Sequence, residues 1–224
     1  MTRFFNLDMP FWRFVGNTLI VSCLSLAPLL LFYIALTPGF MTMLLENGPA
    51  LSRFLRQVIT NGLPVVFVVN YISFFLYALM TDGRRAVRSP ALILLIDLPA
   101  RIIVFVALHG LIYVLSADWF GSFGGDRLQA LAVVGPTLVR SALFGNISGV
   151  YLYATLVSAM PLYTAVIERV LDESPGLLAS QRRRLQVLPG EAGKVVGRVV
   201  IALFLFAIYA LLMTGLAALI VWLV

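Results

Sequence analysis

The chain has 224 residues, of which 61% are hydrophobic and only 12% are charged, and its mean hydropathy is +1.01. A water-soluble domain carries about twice that fraction of charge, so the composition excludes a soluble globular protein. The formal net charge of +6 requires no nucleic-acid partner, because basic loops at the surface of a membrane with anionic lipids account for it.

Five stretches of the chain are almost free of charge and are each about 20 residues long, the length at which an α-helix crosses a hydrocarbon core of roughly 30 Å. They cover residues 14–36, 58–80, 94–117, 147–167 and 199–223. We therefore predict an all-α, polytopic helical membrane protein. Its five transmembrane helices form a single membrane domain over residues 1–224.

The segment before the first span is rich in aromatic residues, including Phe4, Phe5 and Trp12. Aromatic rings favour the headgroup region, so we predict an interfacial helix near residues 3–13. The apolar stretch that follows is longer than the core of a cleaved signal peptide, and we predict that it is retained. Cys23 lies within it and is the only cysteine, which excludes an intrachain disulfide.

The basic residues of the connections are distributed unequally between the two sides of the predicted bundle. Eleven fall on the side of the N-terminus, and four, Arg53, Arg56, Arg127 and Arg140, fall on the other side. Because positively charged loops resist translocation, we predict a cytoplasmic N-terminus and a C-terminus in the periplasm or outside the cell. The basic loops of the cytoplasmic side contain the candidate contacts to anionic lipid headgroups, Arg84, Arg85, Arg88, Arg182, Arg183 and Arg184.

The region between Leu128 and Val166 is apolar for longer than one span requires. Two spans there would place the QRRRL stretch at 181–185 on the side poor in positive charge. We therefore predict an interfacial or re-entrant helix at 128–143, with a fourth span beginning near Gly145. One long, bent helix is the alternative, since Pro136 can kink a helix.

The third span contains charged residues that an apolar environment disfavours. Asp97 and Arg101 are one helical turn apart, and the apolar run extends from Pro90 to Ser116. If the membrane begins near Leu98, the two side chains form an ion pair at the interface and the arginine reaches the headgroups. If it begins near Pro90, Arg101 lies about 16 Å deep and requires a partner. We favour the shallow position, and a functional or interhelical polar site is the alternative.

Two further polar residues belong to this candidate intramembrane site. His109, the only histidine, is 12 residues beyond Asp97 and on an ideal helix points about 120° away, so it does not join the same cluster. A lone histidine is more often a packing residue than a ligand. Asn70, halfway along the second span, can form a hydrogen bond with a neighbouring helix.

Gly145 and Gly149 form a GxxxG motif, which permits close approach of two membrane helices. The motif is common in apolar helices and carries little specificity. We interpret it as a contact within the chain, with contact to another subunit as the alternative.

Reaction chemistry is largely excluded by composition. One histidine and one cysteine cannot supply bis-histidine haem ligation, an iron–sulfur cluster or a thiolate zinc site, and the sequence lacks HExxH, GxSxG, Walker and GxGxxG motifs. We therefore expect no cofactor, no metal and no catalytic residue. Whether the protein is an enzyme remains open, and the sequence argues against it.

Three functional hypotheses remain. The first is a non-catalytic membrane subunit that packs in or scaffolds a larger complex, with other membrane subunits or a second copy of the chain as its partner. The second is a transporter or channel component with an intramembrane polar site, and the third is a lipid-active membrane enzyme or sensor. All but one of the 16 basic residues are arginines, a bias that favours GC-rich coding and a bacterial inner membrane.

Overall fold

The computed structural model describes residues 4–81, 90–119, 122–141, 145–163, 165, 166 and 200. Within these residues all regular secondary structure is helical. Three helical stretches are long and apolar enough to cross a membrane, at Phe11–Leu36, Gly48–Thr81 and Leu95–Ala117. The described residues thus form a multi-pass helical membrane protein.

Helix α1 spans Phe11–Leu36 and forms the first predicted span. It begins directly after Pro10, whose fixed φ and missing N–H suit the start of a helix. The predicted interfacial helix near residues 3–13 is wrong, because residues 4–10 form turns. Phe5 is instead buried, with its ring stacked on Phe74 at a centroid distance of 4.1 Å. Aromatic composition indicated an interface, but one of the rings packs inside the bundle.

The second span is longer than the sequence predicted. After α2 (Phe40–Glu46), helix α3 (Gly48–Gln57) begins with the Asn47 side chain accepting a hydrogen bond from the Ala50 amide. A π-helical turn at Val58–Gly62 then connects α3 to α4 (Leu63–Thr81). The capping asparagine explains the early start. In the sequence, the polar residues of α3 indicated a connection between two spans and not a helix.

Helix α5 spans Pro90–Trp119 and contains the third predicted span. Pro99 lies within it and removes one backbone donor, yet the helix continues on both sides. The helix therefore presents Asp97, Arg101, Phe105 and His109 from one continuous element. It packs against α4 on one side and α6 on another.

The last two helices of the described region follow short connections. Helix α6 spans Arg127–Ser141 and continues through Pro136, close to the predicted helix at 128–143. Helix α7 spans Ile147–Val157, and the Asn146 side chain caps it by accepting from the Gly149 amide. The apolar helix containing α7, Ile147–Tyr163, is shorter than the three long spans. The predicted fifth span, 199–223, lies almost wholly outside the described residues, which leaves the count of five crossings a prediction.

Two apolar cores hold the helices together. The first core includes Val66, Val69, Phe105, Val150 and Leu152, and the second includes Phe5, Phe14, Phe74, Leu162 and Tyr163. On α4 the first core ends at Val69 and the second begins at Phe74, and on α5 the second core ends at Ile93 and the first begins at Phe105. A layer of buried polar residues fills the interval between the two cores. It contains Ser22, Asn70, Ser73, Asp97, Arg101, Thr155 and Ser158.

Candidate functional site

Arg101 is the centre of the polar layer between the two cores, with only 1% of its surface exposed. Its Nε donates to Asp97 Oδ2 at 2.8 Å, one turn earlier on α5. Asp97 is also buried. The i, i+4 spacing aligns the two side chains on one face of the helix, as the sequence indicated.

The two terminal nitrogens of Arg101 reach across to two other helices. Nη1 donates to Asn70 Oδ1 at 2.7 Å on α4, and to the Thr155 carbonyl at 2.6 Å and Ser158 Oγ at 3.1 Å in the region of α7. Nη2 donates to Ser73 Oγ at 2.6 Å. A planar guanidinium with five donors suits such a junction, because its fork binds acceptors in several directions at once.

The partners of Arg101 also bond to one another. Ser73 donates to Asp97, and Ser158 donates to Asn70. The Asn70 amide nitrogen donates to Ser22 Oγ at 2.9 Å, which brings α1 into the same network. We refer to these seven residues, from Ser22 to Ser158, as the Arg101 network.

The structure shows Asp97 and Arg101 as a buried pair between helices, and the position of the pair relative to the membrane stays a prediction. The Arg101 side chain lies between α4, α5 and the region of α7, and its Cζ lies 5.5 Å from the centre of the Phe74 ring. A lone charge in the membrane costs from about 3 to more than 10 kcal/mol. The carboxylate, two hydroxyls, one amide and one carbonyl offset that cost, because each accepts a hydrogen bond from the guanidinium.

His109 lies outside the Arg101 network, two turns further along α5. Eight residues of helix place it about 12 Å from Arg101 along the axis. Phe105 lies between them, fully buried, with its ring centroid 4.4 Å from that of His109. The sequence argument that Asp97 and His109 do not share one cluster agrees with this geometry.

A cavity of 310 Å³ lies beside His109, and we refer to it as the His109 cavity. Its apolar lining residues are Val65, Ile112 and Ile147. Its polar lining residues are Gln57, Asn61, His109, Tyr113, Ser116, Ser148 and Tyr151. Gln57 and Asn61 are exposed and mark the mouth, whereas His109 and Tyr151 are buried and mark the floor.

Two buried polar atoms of this cavity floor have no hydrogen-bond partner among the described residues, His109 Nδ1 and the Tyr151 hydroxyl. The Phe105 carbonyl, one turn earlier on α5, is the backbone group that interacts with the imidazole. Buried polar groups are nearly always paired, so each unpaired one requires an explanation. Gly62 helps to place the tyrosine, since a Cβ there would collide with the Tyr151 ring.

The two glycines of the GxxxG motif have different surroundings in the structure. Gly145 precedes the capping residue Asn146 and is exposed, whereas Gly149 is buried inside α7. The Gly145 amide donates to the Arg140 carbonyl at 2.9 Å, and a Cβ at Gly145 would crowd that same carbonyl. Gly145 therefore lies outside the helix that contains Gly149, and a helix contact through this pair stays a prediction.

The candidate headgroup contacts Arg84, Arg85, Arg88, Arg182, Arg183 and Arg184 lie outside the described residues. The lipid-active hypothesis that depends on them stays a prediction. Among the described residues, no group of histidine, cysteine and carboxylate side chains is arranged to hold a metal ion.

Sequence reasoning missed Ser22 and Ser73 as members of the network and the cavity as a place where His109 and Tyr151 meet. One signal for Ser22 was present, since Thr18, Ser22 and Ser25 recur at helical spacing and are all buried on α1. Such small hydroxyl residues permit close helix packing and can bond across helices. No comparable signal pointed to the cavity.

Comparisons with protein families, with characterised proteins and with solved structures found no match, so the functional argument depends on the geometry alone.

Proposed function

We propose that the protein is a non-catalytic integral membrane subunit that packs in, or scaffolds, a larger membrane complex. One observation carries the proposal: all three guanidinium nitrogens of Arg101 donate to acceptors of the same chain. The charged group is thus used to hold α1, α4, α5 and α7 together. Bonding of all three nitrogens within the chain favours a structural role for the guanidinium over substrate binding.

A closed network of this kind suits a scaffold better than a moving carrier. A rocking motion between α5 and α7 would break the bonds from Arg101 to the Thr155 carbonyl and to Ser158, although the ion pair with Asp97 on the same helix would stay intact. A hydrogen bond to a charged group contributes about 1.5–3 kcal/mol. Buried ionic groups can instead fix one arrangement of helices, which is what a subunit with a defined docking surface requires.

The outer face of α1 supports the same proposal. Its exposed apolar residues include Leu19, Ile20, Leu24, Leu31 and Phe32. Lipid chains or the helices of other subunits can cover such a surface equally well, since no hydrophobic force distinguishes them. We propose that another membrane subunit or a second copy of this chain packs there, and that the complex resides in a bacterial inner membrane with anionic lipid at its cytoplasmic side.

Site-specific photocrosslinking combined with native purification tests the proposal. A photoreactive residue at Leu24, 69% exposed, is expected to give one discrete protein adduct, and mass spectrometry of the purified complex is expected to find the same partner in stoichiometric amount. The control position is Val66 on α4, which is fully buried and should give no adduct between chains. Recovery of a lone monomer with only lipid adducts at Leu24 would refute the proposal.

A second candidate function, a transporter or channel component, is favoured by the His109 cavity, which brings polar groups into the helical bundle. The Arg101 network adds nothing to this candidate, since its groups are paired with one another. Uptake of solutes by reconstituted vesicles discriminates the two functions. Absence of flux both in the unaltered protein and in Asp97→Asn would exclude transport.

A further inference from the structure

The His109 cavity has three properties that a structural void lacks. Empty cavities in proteins are lined by apolar groups, whereas this one combines apolar surface with polar groups from seven residues. Its volume of 310 Å³ is at the lower end of the range for small-molecule sites. Its floor presents two buried polar atoms that the described part of the chain leaves unpaired.

The lining also restricts the chemistry of an occupant. It contains no aspartate, glutamate, lysine or arginine among the described residues. A charged solute there would lose its hydration without gaining a counter-charge, which is expensive in a membrane interior. An uncharged solute with hydroxyl or amide groups would lose less, and it could donate to His109 Nδ1 and exchange a hydrogen bond with the Tyr151 hydroxyl.

We propose that the His109 cavity binds a small, uncharged, hydrogen-bonding solute of the polyol or amide class, with His109 and Tyr151 as its principal polar contacts. The volume accommodates about ten groups of the size of a water molecule. Phe105 separates His109 from the Arg101 network, since it is fully buried and its ring packs on that of His109. Entry is through the mouth at Gln57 and Asn61, at the end of the bundle that the charge distribution predicts to face away from the cytoplasm. The proposal is independent of the scaffold function.

Cysteine accessibility tests whether the cavity admits solutes. In a Cys23→Ser background, Ser116→Cys places one thiol in the lining, and Ser73→Cys places one in the closed Arg101 network. N-ethylmaleimide, which is small and uncharged, is expected to label the first variant in purified protein and not the second. An exposed cysteine at Thr60 measures the intrinsic reaction rate. Absence of labelling at position 116 while position 60 reacts would overturn the proposal.

Protection from labelling tests the class of solute. Glycerol and acetamide are expected to slow the labelling of Ser116→Cys but not that of Thr60→Cys, whereas acetate and tetramethylammonium at the same concentrations are expected to protect neither. Adding Tyr151→Phe should raise the half-protecting concentration of glycerol about fivefold, the effect of one lost hydrogen bond. Adding His109→Leu should have a similar effect.

Tyr71→Phe is the matched control for these variants, because it removes a hydroxyl from α4 at a residue that does not line the cavity. It should leave protection unchanged. Equal protection by the charged solutes, protection by none of the four, or protection that persists when both His109 and Tyr151 are replaced would each overturn the proposal.

Discussion

Asn70 accepts a hydrogen bond from Arg101 Nη1 at 2.7 Å and donates one to Ser22 Oγ at 2.9 Å, so a single amide connects α5 to α1 through α4. The amide is fully buried, and the same oxygen also accepts from Ser158. Four helices thus depend on the orientation of one side chain, because its amide holds a donor and an acceptor at a fixed separation.

Replacing Asn70 should loosen the bundle without removing a charge. We expect Asn70→Ala to lower the free energy of unfolding by about 1–2 kcal/mol, the sum of two or three interhelical hydrogen bonds in a membrane. Titration of the detergent-solubilised protein with a denaturing detergent measures this loss. Asn61→Ala, at the exposed mouth of the cavity, is the control and should change stability little. Equal effects of the two variants would show that Asn70 bonds contribute nothing.

The ion pair predicts that substitutions of its two residues have non-additive effects on the free energy of unfolding. Arg101→Met leaves the buried Asp97 carboxylate without its cation, and we expect a loss of about 3 kcal/mol of stability. The double variant Asp97→Leu, Arg101→Met should be more stable than Arg101→Met alone, because no unpaired charge remains. The same unfolding titration measures both.

The matched control for this cycle is Arg53→Met, since Arg53 is exposed on α3. This substitution should lower the free energy of unfolding by less than about 0.5 kcal/mol. If Arg101→Met were as mild as this control, or if the two changes at 97 and 101 simply added, the guanidinium would not be the junction of the four helices.

Gly62 should tolerate no side chain because the Tyr151 ring occupies the position of its Cβ. We expect Gly62→Ala to destabilise the protein by about 1–3 kcal/mol through overpacking. A second change, Tyr151→Ala, should relieve the collision. The control is Gly16→Ala on α1, where no atom lies within 4 Å of the added Cβ and a gain of up to about 1 kcal/mol in helix propensity is expected. Thermal unfolding in one detergent compares the three variants, and a harmless Gly62→Ala would contradict the packing described.

The predicted five crossings place the two termini in different compartments. Reporter fusions that are active only in the cytoplasm should therefore work at the N-terminus and fail at the C-terminus. The reason is the concentration of arginine on alternate connections. Activity at both ends would require an even number of crossings, and the assignment of the later connections to the two sides would then have to change.

The local properties of the sequence were sufficient to predict part of this architecture. Stretches of about 20 residues with almost no charge predicted the long helices α1, α4 and α5, because hydropathy and length are properties of a segment by itself. The i, i+4 spacing likewise predicted that Asp97 and Arg101 would pair on one face of α5. The starts of the helices were harder to predict from the sequence. Helix α3 depends on a cap at Asn47, and residues 4–10 are held in turns next to the buried Phe5.

The partners of Arg101 and the surroundings of His109 were decided only in three dimensions. The sequence favoured an arginine at the interface, and it could not show that α4 and α7 supply acceptors for the guanidinium at the same level. Ser22, Asn70 and Ser158 meet there because the two apolar cores align their helices, and no periodicity within one helix records that alignment. His109 and Tyr151 are 42 positions apart and share a cavity only because α5 and α7 pack in the same bundle. The hydrophobicity of a membrane helix places it in the bilayer, but which of its faces meets which neighbour depends on packing between helices.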